Sequence, residues 1–242
     1  MKNQAVIYLL IILLSWDCKK PGCFENAGPL ITVKRNASSF YRIELFDNVN
    51  VILTQDSTET IKVRAPQNIE PNIITNIENG ILTVQNTTTC KWLRNPSEQI
   101  DVFISVRELK HFEYSGSGNV SSTNTILADN ITFYSSKGAG NLDIALQAKV
   151  LTASVEYESA DFLFHGKADV CYCYCNSRGT LGLKDFEVRH LVIGYAGVRD
   201  VTVNATEAIE ATIYHTGNVY YKGSPSTILT AFYSTGRLYH AL

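Results

Sequence analysis

From residue 109 onward, short apolar runs alternate with small-residue turns at a steady interval. Each unit reads as an apolar strand, a polar or tyrosine position, a turn of Gly, Ser or Ala, an Asn or Asp, and a second apolar strand. The turns are 115–120 (SGSGNV), 137–144 (KGAGNLDI), 158–162 (ESADF), 177–181 (SRGTL), 196–201 (AGVRDV), 215–219 (HTGNV) and 234–238 (STGRL). The apolar residue after each turn is Val120, Leu142, Phe162, Leu181, Val201, Val219 or Leu238, in steps of 22, 20, 19, 20, 18 and 19 residues. A sandwich would place hairpin turns every 8–12 residues without holding one turn motif in register. A period near 20 with two short strands per unit predicts a coiled β-solenoid, a quasi-one-dimensional stack of similar coils. Each coil adds about 4.8 Å of height, and inward Val, Ile, Leu and Phe meet their equivalents in the next coil.

The N-terminal half carries a looser version. Residues 41–45 (YRIEL) and 61–65 (IKVRA) alternate, and Asp47-Asn48 turns into the run 49–53. Asn79-Gly80 before Ile81-Leu82 is a strong hairpin signal. Residues 100–104 lead into the regular array, and 86–97, with Pro96, reads as a loop. No linker rich in Pro, Gly or Ser interrupts the chain, so one solenoid domain is expected over 29–242. The turn glycines are expected to supply positive φ, with Asn and Asp bonding local backbone. The C-terminal end, Tyr239 to Leu242, shows no evident protection for its strand edges.

The first residues follow a different pattern. Lys2 precedes a continuous apolar run, 5–14 (AVIYLLIILL), too short to cross a bilayer comfortably and suited to a signal-peptide core. Residues 1–17 are therefore read as a signal peptide and 18–28 as a tether. Cys18, just past the export signal, resembles a bacterial lipoprotein site, although Trp16 and Asp17 stand where small residues normally do. Ordinary cleavage nearby and an uncleaved anchor are the alternatives. Lipidation would tie the protein to a membrane, each buried CH₂ adding about 0.8 kcal/mol.

Export changes the reading of the six cysteines, because disulfides persist in oxidising compartments. A Cys23–Cys90 bridge is expected to pin the N-terminal segment to the body, constraining the unfolded chain by about 4 kcal/mol on the loop-entropy model. Cys171, Cys173 and Cys175 alternate with Tyr172 and Tyr174 and share one face of a strand, neighbours standing about 6.6 Å apart or more. That separation does not suit a disulfide, and no second half of a metal motif accompanies them. They read as small buried hydrophobes in a core row.

A formal net charge of −2 and the lack of any long basic run argue against nucleic acid as a partner. Gly116-Ser117-Gly118 is no dinucleotide fingerprint, since no helix follows. Asn119, Asn141, Asp161, Asp200 and Asn218 share one repeat position. They could form a column of Ca²⁺ ligands, but without a dense acidic repeat they read as a turn ladder. No metal or cofactor is expected. Asp143, Glu156, Glu158, Asp161, Lys167 and Asp169 could build an acid–base site for glycan cleavage, or stand as solvated surface. An enzyme is the less favoured reading.

The most informative side chains are tyrosines. Tyr114, Tyr134, Tyr157, Tyr174, Tyr195, Tyr214 and Tyr233 fall one per coil, five to eight residues before the post-turn marker. Several follow an inward residue directly, as in Phe133-Tyr134, Ile213-Tyr214 and Phe232-Tyr233, so alternation directs them outward. Two readings stand: a strip that binds glycan rings or a partner surface, and a ladder that only stabilises itself.

Asp47-Asn48-Val49, Asn79-Gly80-Ile81-Leu82, Leu109 followed by 114–120 (YSGSGNV), the decayed later copies and the closing 219–225 (VYYKGSP) resemble the head GIN domain family of putative auto-transporter adhesins. The resemblance runs over roughly residues 30 to 240. It implies a right-handed β-helix-like solenoid, often on exported lipoproteins of the Bacteroidetes type, and no established activity. The chain departs from the pattern where glycines are lost, as at Ser159-Ala160-Asp161. Surface-displayed lipoproteins of that group carry acidic residues after the cysteine; Lys19-Lys20 favours the periplasmic side of the outer membrane. The expectation is a non-enzymatic envelope lipoprotein that binds glycan or an envelope partner, or a structural assembly protein without a small ligand.

Overall fold

The computed structural model describes residues 26–89 and 99–241. They form an all-β solenoid of about six turns, with about 20 residues per turn. The irregular part holds β1 (Leu30–Arg35), β2 (Arg42–Asp47), β3 (Asn50–Gln55), β4 (Thr60–Pro66), β5 (Ile73–Glu78), β6 (Ile81–Asn86) and β7 (Asp101–Val106). The array holds β8 (His111–Gly116), β9 (Val120–Ser122), β10 (Ile126–Ser135), β11 (Asn141–Glu156), β12 (Asp161–Asn176), β13 (Leu181–Tyr195) and β14 (Val201–Ile213). It ends with β15 (Val219–Lys222), β16 (Thr227–Phe232) and β17 (Leu238–His240).

The post-turn markers share one column. Val120 pairs with Leu142, Leu142 with Phe162, Phe162 with Leu181, Val201 with Val219, and Val219 with Leu238, all in parallel register. Burial alternates along the long strands, which turn corners without a loop by placing two outward residues in succession. In β11 the buried set is Leu142, Ile144, Leu146 and Ala148, then Leu151, Ala153 and Val155, so Lys149-Val150 is the corner. Inside, Phe112, Phe133, Phe164 and Phe186 stand in sequence along the axis with centroids 6.0, 5.1 and 5.9 Å apart. Each buried Phe contributes about 1.5–3 kcal/mol. Cys171, Cys173 and Cys175 are buried free thiols in this core, set between Leu151 and Leu191, Ala153 and Ile193, and Val155 and Tyr195. Burial pushes the Cys175 thiol up to about 11, which keeps it protonated and inert.

The turn glycines have a different cause from the one expected. Positive φ among the described glycines occurs at Gly28, Gly80, Gly166 and Gly223, and not in the repeated turns. What the turns require is close approach between coils. A Cβ at Gly118 would lie 2.0 Å from the Val49 carbonyl oxygen, and one at Gly179 would lie 1.9 Å from that of Ala160. The Asn79-Gly80 turn does use positive φ, at 52° and 77°, and closes the antiparallel β5–β6 hairpin.

Coil order does not follow chain order in the N-terminal half. Strand β2 lies between β6 and β8, and β3 lies between β7 and β9, all parallel. Beyond them the stack is closed by antiparallel pairing of β4 with both β7 and β1. Arg64 pairs with Asp101 there, and Asn50 Nδ2 donates to the same carboxylate at 3.0 Å. The expected lipidation of Cys18 and the Cys23–Cys90 bridge lie outside the described residues, as does the signal segment 1–17.

Candidate functional site

The column position that holds Asn or Asp is a hydrogen-bond ladder. Asn50 Oδ1 accepts from the Asn119 amide at 2.8 Å, Asp161 Oδ1 from the Thr180 amide at 2.7 Å, Asp200 Oδ1 from the Asn218 amide at 2.8 Å, and Asn218 Oδ1 from the Arg237 amide at 3.1 Å. Each side-chain oxygen thus satisfies the backbone donor one coil on, which is how stacked turns keep their polar groups paired. Four of the five acids considered for catalysis are engaged separately. Asp143 pairs with His165 at 2.9 Å, Asp161 with Arg199 and Asp169 with Arg189 at 3.4 Å, while Glu156 accepts from Ser154 at 2.9 Å.

The seven tyrosines separate into different rows, because turn lengths vary between coils and the pleat has a period of two. Tyr114 and Tyr195 belong to the inward row and are fully buried, apart from the outward tyrosines such as Tyr134, Tyr214 and Tyr233. Their register equivalents are Ser135, Val155, Cys175 and Ile213. The Tyr114 hydroxyl donates to the Gly118 carbonyl at 2.6 Å, and that of Tyr195 to the Arg199 carbonyl. The rings occupy space left by turn glycines: a Cβ at Gly138 would lie 2.4 Å from Tyr114 and one at Gly197 2.6 Å from Tyr195. Burial pushes the Tyr114 phenol up to about 12 and that of Tyr195 further. These two are structural.

Tyr134 and Tyr174 lie in the next, outward row, with Ser154 between them and Gly194 after. Tyr134 is half-buried. Gly194 leaves room for its neighbours: a Cβ there would lie 2.9 Å from the Tyr174 ring and 3.7 Å from the Tyr214 ring. Tyr214 stacks on Tyr233 with centroids 5.4 Å apart and planes 11° from parallel. Tyr157, in a turn at φ 66°, and Tyr233 are each 72% exposed, so they cover little of their own protein. Tyr172, half exposed and two residues before Tyr174, joins this outward face. The one-per-coil count passed over it, although the CYCYC alternation places it there.

Beside these rings lies a shallow depression of about 260 Å³, lined by Tyr157, Asn176, Ser177, Arg178, Ala196, Val198 and His215. Partial burial, then Glu156, Tyr214 and Tyr157, raise the Tyr174 phenol above its ordinary value. The Tyr174 phenol therefore remains a neutral donor at physiological pH. A larger groove of about 730 Å³ follows a corner of the coil, floored by Ala128, Ala148 and Ala168. Two ion pairs lie along it: Lys149 with Asp129 at 2.8 Å, and Arg189 with Asp169 at 3.4 Å.

The coil geometry defines a β-solenoid. Residues 39–225 match the family described as putative auto-transporter adhesin, head GIN domain, and the chain belongs to that family. A crystal structure of a putative adhesin from Bacteroides fragilis is similar at a TM-score of 0.78, with 23% identity, covering 88% of this chain and 97% of that one. A putative adhesin from Parabacteroides distasonis gives 0.71, with 16% identity and coverage of 88% and 98%. A putative lipid binding protein from the same species gives 0.66, with 19% identity and coverage of 89% and 98%. At these identities the likeness is one of fold. No curated protein matches the chain. The family description places the protein with adhesins of the cell envelope or surface, and neither it nor these neighbours are described as enzymes. Among the described residues, no helix is long and apolar enough to cross a membrane.

Proposed function

We propose that this chain is a non-enzymatic envelope binding module whose ligand is a saccharide, held on the platform of Tyr157, Tyr174, Tyr214 and Tyr233. The observation that carries the reading is the gathering of these exposed rings, two of them stacked, beside a depression lined by Asn176, Arg178 and His215. Flat aromatic faces pack against the apolar faces of sugar rings. Amide, guanidinium, imidazole and phenol groups supply donors and acceptors for the hydroxyls. A lipid on Cys18 would hold the module at the outer membrane, with Lys19-Lys20 favouring its periplasmic side. The bridge between Cys23 and Cys90 would fasten the tether to the first coils.

A glycan array followed by titration tests the reading. The combined Tyr174→Ala and Tyr214→Ala variant is expected to weaken binding at least about tenfold, equivalent to 1.4 kcal/mol. Tyr195→Phe, altered only inside the core, is expected to bind as the parent does. Equal binding by the double variant would remove the platform from the account. A parent protein that binds no glycan would favour the assembly role.

A further inference from the structure

Among the described residues, one arginine stands apart from the others. Arg35, Arg42, Arg64, Arg107, Arg189 and Arg199 each pair with a carboxylate. Arg237 donates to the carbonyls of Ser234 and Gly236 and lies over the Phe232 ring. The Arg178 guanidinium has neither kind of partner among the described residues. Its side chain is exposed and lines the 260 Å³ depression beside the tyrosines. That lining also holds His215 and includes no acid. His215 Nδ1 shares a hydrogen bond with the Thr216 hydroxyl at 3.2 Å, which leaves Nε2 open. The acids of the adjoining coil, Glu156 and Glu158, lie outside the lining. Glu156 is engaged by Ser154 at 2.9 Å, and Glu158 meets Arg178 through its backbone carbonyl, at 3.0 Å. The 730 Å³ groove is different: Glu108, Asp129, Asp169 and Glu187 line it together with Lys149, Lys167 and Arg189, so it favours neither sign of charge.

We propose that the saccharide taken by this surface is an acidic one, its carboxylate held by the Arg178 guanidinium. The inference rests on the saccharide reading and narrows it. A guanidinium is a planar fork of donors that matches the two oxygens of a carboxylate, and it stays charged at any working pH. The charge site is continuous with the aromatic platform. Cys175, Tyr195 and Ile213 are in register, so Asn176, Ala196 and Tyr214, which follow them, stand on successive levels of one outward column. Tyr157 adjoins the same column, its amide donating to the Asn176 carbonyl at 2.7 Å. A sugar chain along this column has ring faces at Tyr157 and Tyr214 and the Arg178 cation beside it. A neutral sugar of the same shape uses the rings and leaves the guanidinium to water. The protein's net charge is −2, so a preference for anions here would come from this local cation and not from the molecule as a whole.

An array of uronate- and sialate-bearing glycans, each printed beside its own methyl ester, tests it with the full chain. Esterification removes the charge and keeps the ring. In titrations of the most tightly bound pair, the acid is expected to bind at least about fivefold more tightly than its ester. Arg178→Gln is expected to bring that ratio to within about twofold. Arg199→Gln removes a cation outside the depression and is expected to leave the ratio as in the parent. Esters bound as well as acids by the parent would overturn this inference and leave the tyrosine platform standing. A ratio that survives Arg178→Gln, or that falls equally in both variants, would overturn it as well, the second by assigning the preference to the general field of the surface. A chain that binds no glycan of either kind would overturn the saccharide reading and this inference with it.

Discussion

The two ends of the solenoid are built on opposite principles. At the N-terminal end the chain reverses: β4 pairs antiparallel with β7 and β1, β5 with β6, and the polar groups at this end are tied by Arg64–Asp101 and by Arg35–Glu70 at 2.5 Å. Toward the C-terminal end of the described residues the repeat runs on in register to its last strands. Among the described residues, β16 pairs with β14 and β17 with β15, and core-type side chains of β16 are exposed. A repeat of this kind buries each inward residue against the coils on either side of it. One end must be finished by a different structure or by another molecule. The N-terminal end is finished by a segment whose strands do not follow the repeat.

The largest effect is expected where interior coils touch backbone to backbone. Gly118→Val would drive a Cβ into the Val49 carbonyl, 2.0 Å from its ideal position, with no flexible atom to yield. Loss of about 4 kcal/mol or more, or failure to fold, is expected in denaturant titration. The comparison of ends is sharpened by one column. Ile209→Ala is expected to cost about 3 kcal/mol, and Ile228→Ala one coil further under about 1 kcal/mol in the monomer, because only the first leaves a cavity. Equal costs would mean that the end is covered in solution.

The smallest effect is a titration. The Tyr114 phenol, raised by burial to about 12 in the fold from 10 when free, holds its proton more tightly folded than unfolded. Its contribution is intact below pH 10 and is lost as pH rises toward 12. Cys175 acts in the same sense from pH 9 to about 11. Stability should therefore decline through this alkaline window, and Tyr114→Phe should flatten its upper part. That variant forfeits about 1 kcal/mol at neutral pH with the bond to Gly118. Unchanged alkaline behaviour in Tyr114→Phe would show that other groups dominate.

Much of the fold was legible because its information is periodic and local. The spacing of Val120, Leu142 and Phe162 marks their shared column, Asn79-Gly80 marks its hairpin, and the CYCYC alternation puts three thiols inside. The insertion of β2 and β3 between later coils was not legible, since pairing between segments dozens of residues apart leaves no short-range trace. Half of the candidate site followed the same division. A tyrosine in every coil was visible, but which faced water was not. One residue more or less in a turn reverses the pleat, and so Tyr114 and Tyr195 went inward while Tyr172 stood outward unnoticed. The amino-acid sequence by itself determined the repeat, its period and the identity of the inward aliphatic residues, because stacking like on like writes the same pattern once per coil. Only the tertiary structure decided the order of the first coils, the facing of each tyrosine and the antiparallel closure of the N-terminal end. Those depend on register and on neighbours distant in the chain, which no local pattern encodes.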